Sequence, residues 1–211
     1  EYFAKNQQPA SNKKSDANKF KQAVMIYNYV LKSMNKPAEA AKVLELLANI
    51  KGAVDERQME FLKLQTAIDN EENKLKSSGK IDDKALAAAI KGLENLQFIR
   101  DGVAAAGAVQ LARSYIIRGR GKLLPLLPKE KEKAKDIGKI DDFANAVKAI
   151  DMITPRLEEL AKMQGLENSP KSPLVEAMYY KAIAFASHAV TTYAKGETDK
   201  AKVQIRGAAK Y

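Results

Sequence analysis

The chain has 211 residues, a formal net charge of +10 and a pI near 9.5, with no Cys, no Trp and a single His. The missing cysteines exclude disulfides, thiolate metal sites, iron–sulfur clusters and cysteine nucleophiles, and the excess of cations points to an acidic partner. The length supports a hydrophobic core, and abundant Ala, Lys, Leu and Glu with only 7% aromatics predict an all-α protein.

Residues 1–14, EYFAKNQQPASNKK, are polar and aperiodic and are expected to form a flexible arm. Ser15 or Asp16 is placed to cap a first helix carrying Phe20, Val24, Tyr27, Leu31 and Met34 on one stripe. The Asn35–Lys36–Pro37 break starts a second helix with Val43, Leu47, Ile50 and Val54 on one face. Phe61, Leu64, Ile68 and Leu75 continue that pattern, giving either one rod or two helices joined near GAVDE.

SSGKIDD, at 77–83, reads as a turn and a helix cap. It opens a helix with Leu86, Ile90 and Leu93 that is expected to extend to Ile117. RGRGK at 118–122 is expected to break this helix, since each glycine costs about 1 kcal/mol there relative to Ala. PLLP completes the break, and a short amphipathic helix follows across the Lys/Glu run. GKIDD recurs at 138–142 and is read as a second helix start of the same type, with Ile140, Phe143, Val147 and Ile150 after it. Thr154–Pro155 suggests a kink or a fresh start, and NSPKSP at 168–173 a loop. The last long helix is expected to carry Val175, Met178, Ala182, Phe185 and Ala189 on one face, then to pause at KGETD before a basic tail. The expected architecture is one helical domain over 15–211, an up-and-down antiparallel bundle with a four-helix core and an additional N-terminal helix.

The chemistry-bearing residues are few. The glycines of 102–107 precede Ala108 and Val109 where a phosphate loop needs Lys and Ser or Thr, so a nucleotide cradle is rejected. His188 sits at the edge of an apolar face and reads as a hydrogen-bonded, partly buried side chain. Without a second His or any Cys, neither a conventional triad nor a zinc site can be assembled. Asp82–Asp83 and Asp141–Asp142 read as helix caps, because adjacent helical residues do not face each other. No catalytic, metal or cofactor site is therefore expected. No segment approaches the roughly 20 apolar residues that span a bilayer, which predicts a soluble chain. The sequence opens at Glu1 without a charged and then apolar leader, and any transit peptide is expected to have been removed or to lie outside it.

The distinctive feature is charge. From Arg113 to Lys135 there are eight Lys or Arg against two Glu. Nucleic acid is one partner such a run can take, but Tyr115 is its only aromatic, so base stacking is unsupported. A solvated helix face and a docking surface for an acidic protein are the other readings.

The stretch ARSYIIRGRGKLLPLLPKEKEKAKDIGKIDDFANAVKAID, at 112–151, resembles the PsbQ-type extrinsic subunits of photosystem II, including the PsbQ-prime forms of algae. The likeness lies in its Ile-Arg-Gly element, in LLP with a basic run containing Lys133, Ala134 and Lys135, and in the helix leading to Ile150–Asp151. Tyr179, Tyr180 and YAKGETDKAK look like that family's closing helix. The resemblance implies a non-enzymatic four-helix bundle in the chloroplast thylakoid lumen, peripheral to the membrane. There it would bind the photosystem II core and other extrinsic subunits and shield the oxygen-evolving centre without ligating its manganese. Under that reading Arg113, Arg118, Arg120 and Lys122 are the expected protein-binding residues, Arg being suited to bidentate carboxylate recognition. The alternatives are a helical scaffold or binding module, periplasmic or repeat-like, and a basic nucleic-acid-binding protein.

Overall fold

The computed structural model describes residues 14–34, 36–48, 56–96, 102–165, 169 and 172–211. Among them there is no strand, and the protein is all-α. In chain order the helices are α1 Lys14–Ser33, α2 Pro37–Ala48, α3 Glu56–Ser78, α4 Asp83–Leu96, α5 Gly102–Leu123, a 3-10 turn Leu127–Lys129, α6 Glu130–Gly138, α7 Asp142–Gln164, α8 Pro173–Ala194 and α9 Thr198–Ala208. Where the sequence predicts one domain over 15–211, the contacts divide the chain into two compact units, Glu1–Asn73 and Lys74–Tyr211. The expected arm lies outside the described residues except for Lys14, which opens α1.

The first unit packs α1 on α2 and joins α3 through Val24, Leu44, Leu47, Met59 and Leu62. Its stripe differs from the predicted one. Tyr27 and Met34 are exposed, and Asn28 occupies a buried position instead, its Nδ2 donating to Ala40 O at 2.8 Å. A polar group placed there keeps a partner, which removes most of the cost of its burial. Lys32 of α1 pairs with Asp69 of α3 at 2.8 Å. Of the predicted second-helix face, Leu47 is buried, while Ile50, Val54 and the joint at 49–55 lie outside the described residues.

In the second unit, α4 packs on α5, α5 on α7 and α8, α7 on α8, α6 on α8, and α8 on α9. Leu86, Ile90 and Leu93 are buried as their spacing predicts. The first predicted break is absent: α5 runs through Gly119 and Gly121 to Leu123. Helix propensity is outweighed by packing. A Cβ at Gly119 would lie 2.7 Å from the Phe143 ring, and one at Gly121 would lie 2.6 Å from Ile81, so both glycines admit close neighbours. Chain regularity ends instead at 124–126, as PLLP predicts, and Leu123, Ile137, Ile140 and Phe143 close into an apolar cluster beside that turn.

Helix α7 continues through Pro155 rather than restarting there. Proline cannot donate to the Asp151 carbonyl, and one residue earlier the Thr154 hydroxyl donates to Ile150 O at 2.8 Å. On α8, Ser172 caps the N-terminus by accepting from Leu174 N, with Pro173 next to it. Its fully buried residues are small: Ala177, Ala184, Ala189, Thr191 and Thr192, whereas Val175, expected inside, is exposed. Small side chains suit a helix that has neighbours on several sides.

Candidate functional site

The basic residues predicted to act together are separated by helical geometry. Four residues apart, Arg118 and Lys122 lie on one face of α5; Arg113 and Arg120, seven apart, lie about 20° from one another on another side. Both members of the first pair converge on one carboxylate. Arg118 Nε donates to Asp142 Oδ1 at 2.7 Å, and Lys122 Nζ donates to Asp142 Oδ2 at 3.0 Å.

Asp142 is the residue that local sequence reasoning misassigned. Its side chain is only 4% exposed, against 19% for Arg118 and 43% for Lys122. Neither half of the second Asp pair caps α7 through its side chain: Asp141, at the cap position, makes no such bond, and Asp142 is committed to α5. The first GKIDD behaves as predicted, with Asp82 Oδ1 accepting from the backbone of Lys84 and Ala85 at 3.1 Å. The two copies nevertheless meet on one element. Ile81 of the first fills the space at Gly121, and Phe143, directly after the second, fills the space at Gly119. The available sequence signal was the i, i+4 Arg–Lys pair facing an Asp-Phe dipeptide that only the second copy possesses.

Above this junction the Arg118 guanidinium lies over the Tyr115 ring, 5.3 Å from its centroid. Tyr115 donates its hydroxyl to Glu94 Oε1 at 2.8 Å, and burial, followed by that carboxylate, pushes its pKa up to about 12. Arg113 belongs to a different group: its Nη1 donates to Gln110 Oε1 at 3.0 Å, and Gln110 Nε2 lies 3.5 Å from Glu176 Oε1 on α8. Burial raises the Glu176 pKa, and the charge of Arg113 opposes that rise. Arg120 is exposed.

Two cations against one carboxylate leave the junction with an excess positive charge, on the side where Lys122 reaches solvent. Beyond it the turn and α6 present Lys129, Lys131 and Lys135, all exposed. Lys133 and Lys139 are partly balanced by Asp136, at 3.8 and 3.3 Å.

His188 is half-buried on α8. Its Nδ1 lies 3.0 Å from Gln204 Nε2 of α9, so the neutral ring accepts there. Burial, then the charge of Lys195, lowers its pKa, while Asp141 and Glu197 oppose that. Among the described residues, no three His, Asp or Glu side chains gather in a way that could hold a metal ion, and no helix is long and apolar enough to cross a membrane. No family model matches the sequence, and comparison with curated proteins and with solved structures gives no match either.

Proposed function

We propose that this protein is a non-enzymatic extrinsic subunit of the PsbQ type, held at the lumenal face of photosystem II by its basic surface and screening the oxygen-evolving centre from bulk solvent. The observation carrying this reading is the arrangement at the end of α5. One buried carboxylate anchors Arg118 and the half-exposed Lys122, fixing a cationic point on one face at the C-terminal end of α5, while Arg120 stands exposed on another side of that helix end and the exposed α6 lysines follow beyond the turn. Preorganised cations on rigid elements dock on carboxylates with less loss of side-chain freedom than mobile ones. In this assignment Arg120 and Lys122 meet the partner, Arg118 positions Lys122 through Asp142, and Arg113 lies farther back on the surface.

The same reading takes α4, α5, α7 and α8 as an up-and-down antiparallel bundle. Their pairwise packing and the short connection between α7 and α8 support it. It places the protein in the thylakoid lumen, with acidic surfaces of the photosystem II core and its other extrinsic subunits as partners.

Washing isolated photosynthetic membranes with about 1 M salt, where the Debye length is roughly 3 Å, tests the assignment. Release of the protein together with a loss of oxygen evolution, both reversed by adding it back at low salt, is the expected result. Retention through the wash, or rebinding by Arg120→Glu at the parent affinity, overturns it.

A further inference from the structure

A groove of about 430 Å³ opens between the 3-10 turn, α6 and the C-terminal end of α8, with Leu127, Ala134, Ile137, Val190, Tyr193 and Ala194 among its lining residues. Three of these remain notably exposed for apolar or aromatic side chains: Leu127 at 38%, Val190 at 42% and Tyr193 at 66%. Along the same side of α8 the apolar track continues to Tyr179 and Val175, both exposed and at helical spacing from Val190 and Tyr193. Such a track is elongated, whereas a compact ligand needs an enclosing cavity. Its shape suits the apolar face of another helix, which reads as anchors at i, i+3 or i+4 and i+7.

Charge selects the kind of helix. Residues 118–139 carry eight Lys or Arg against three Asp or Glu, two of those cations being held by Asp142; Lys131 and Glu130 both line the groove, and Lys129 and Lys135 stand exposed on either side of them in the chain. A second copy of this chain would bring its own net charge of +10 against this surface, which disfavours self-association. We propose that the groove receives an acidic amphipathic helix of a partner protein, its apolar side chains entering between Leu127 and Val190 and its carboxylates meeting the α6 lysines. The inference deepens the docking reading given above and rests on it for the partner's identity as part of a larger acidic assembly.

Because the chain contains no Trp, a tryptophan on a peptide reports its own surroundings. The probe is a blocked 16-residue synthetic peptide, about the length of a typical protein helix, with Trp and Leu at i, i+4 and i+7 and Glu or Asp elsewhere. With the full-length protein at low salt, its emission is expected to shift to shorter wavelength and to saturate. Raising the salt to about 0.5 M is expected to weaken binding severalfold. Leu127→Glu and Val190→Glu alter exposed positions, and each is expected to weaken binding at least about tenfold with the far-UV spectrum unchanged. Lys131→Glu should weaken it by about threefold, as a rim charge does.

No saturable shift, equal binding of a scrambled peptide, equal binding of a peptide with Lys in place of its acids, or unchanged affinity in both groove variants would each overturn the proposal. So would sedimentation showing that Val190→Glu abolishes self-association of the chain, or loss of binding to phosphatidylglycerol vesicles in that variant while the peptide stays unbound. The peptide titration needs no photosynthetic membrane. A positive titration with a failed membrane release refutes the photosystem assignment and leaves the groove standing; the converse refutes the groove alone.

Discussion

Replacing Asp142 with alanine removes the one carboxylate that holds Arg118 and Lys122. Leaving a buried charge without its partner costs about 3–5 kcal/mol when both ions are fully enclosed. Here only Asp142 is enclosed: Arg118 retains some solvent access and Lys122 a good deal, so screening lowers the expected loss to about 2–3 kcal/mol. For a unit of this size that corresponds to a fall of roughly 10 °C in Tm, read by circular dichroism at 222 nm on the full-length protein. A companion variant, Asp142→Leu with Arg118→Met, fills similar volume and removes the stranded cation, while Lys122 can turn outward. It is expected to recover at least half of the loss, because the penalty comes from the unpaired charge rather than from the missing attraction. A single variant melting within about 2 °C of the parent, or a double variant melting below the single one, refutes this account of the junction.

Three further perturbations test the same packing. Gly119→Ala should destabilise by about 1–2 kcal/mol, because the Phe143 ring it meets is completely buried and cannot yield, whereas Gly107→Ala, whose Cβ meets nothing within 4 Å, should stabilise by up to about 1 kcal/mol; urea midpoints compare them directly. Pro155→Ala restores a donor to the Asp151 carbonyl within α7 and should raise Tm by a few degrees in the same melt. The lowered pKa of His188 means that the fold favours its neutral form, so its contribution is complete above the ordinary value of 6.5 and is lost as pH falls below it. Stability should therefore decline as pH falls below about 6.5, and His188→Gln should flatten that decline; parallel profiles for the two proteins would contradict the linkage.

What could be read from the sequence is what neighbours along the chain decide. Leu86, Ile90 and Leu93 recur every three or four residues, and burial of that face requires only that some partner exist. Asp82 caps α4 using backbone donors two and three residues away, so its role is local. Asp142 has an almost identical surrounding sequence and a different fate, because its partners lie 24 and 20 residues earlier. The glycines of RGRGK follow the same logic. Their propensity cost is local and visible, whereas the Phe143 and Ile81 side chains that make a bare backbone favourable there come from other elements. The burial of Asn28 is not legible in the sequence, because a polar residue inside an apolar stripe looks like an interruption until its acceptor, Ala40 O, is located.

The fold also changes what the basic run means. Read linearly, Arg113, Arg118, Arg120 and Lys122 form one patch of equivalent charges. Folded, Arg113 faces the Gln110–Glu176 group, Arg118 is largely shielded and satisfied by Asp142, Arg120 is exposed, and Lys122 stands between the two conditions. Shielded ion pairs respond weakly to salt and exposed cations respond strongly. If the protein docks as proposed, salt should consequently loosen its attachment to an acidic surface at concentrations that leave the junction folded, with the sensitivity concentrated at Arg120, Lys122 and the lysines of α6. A chain whose attachment and stability both failed at the same salt concentration would have its cations arranged differently from the way Asp142 arranges them here.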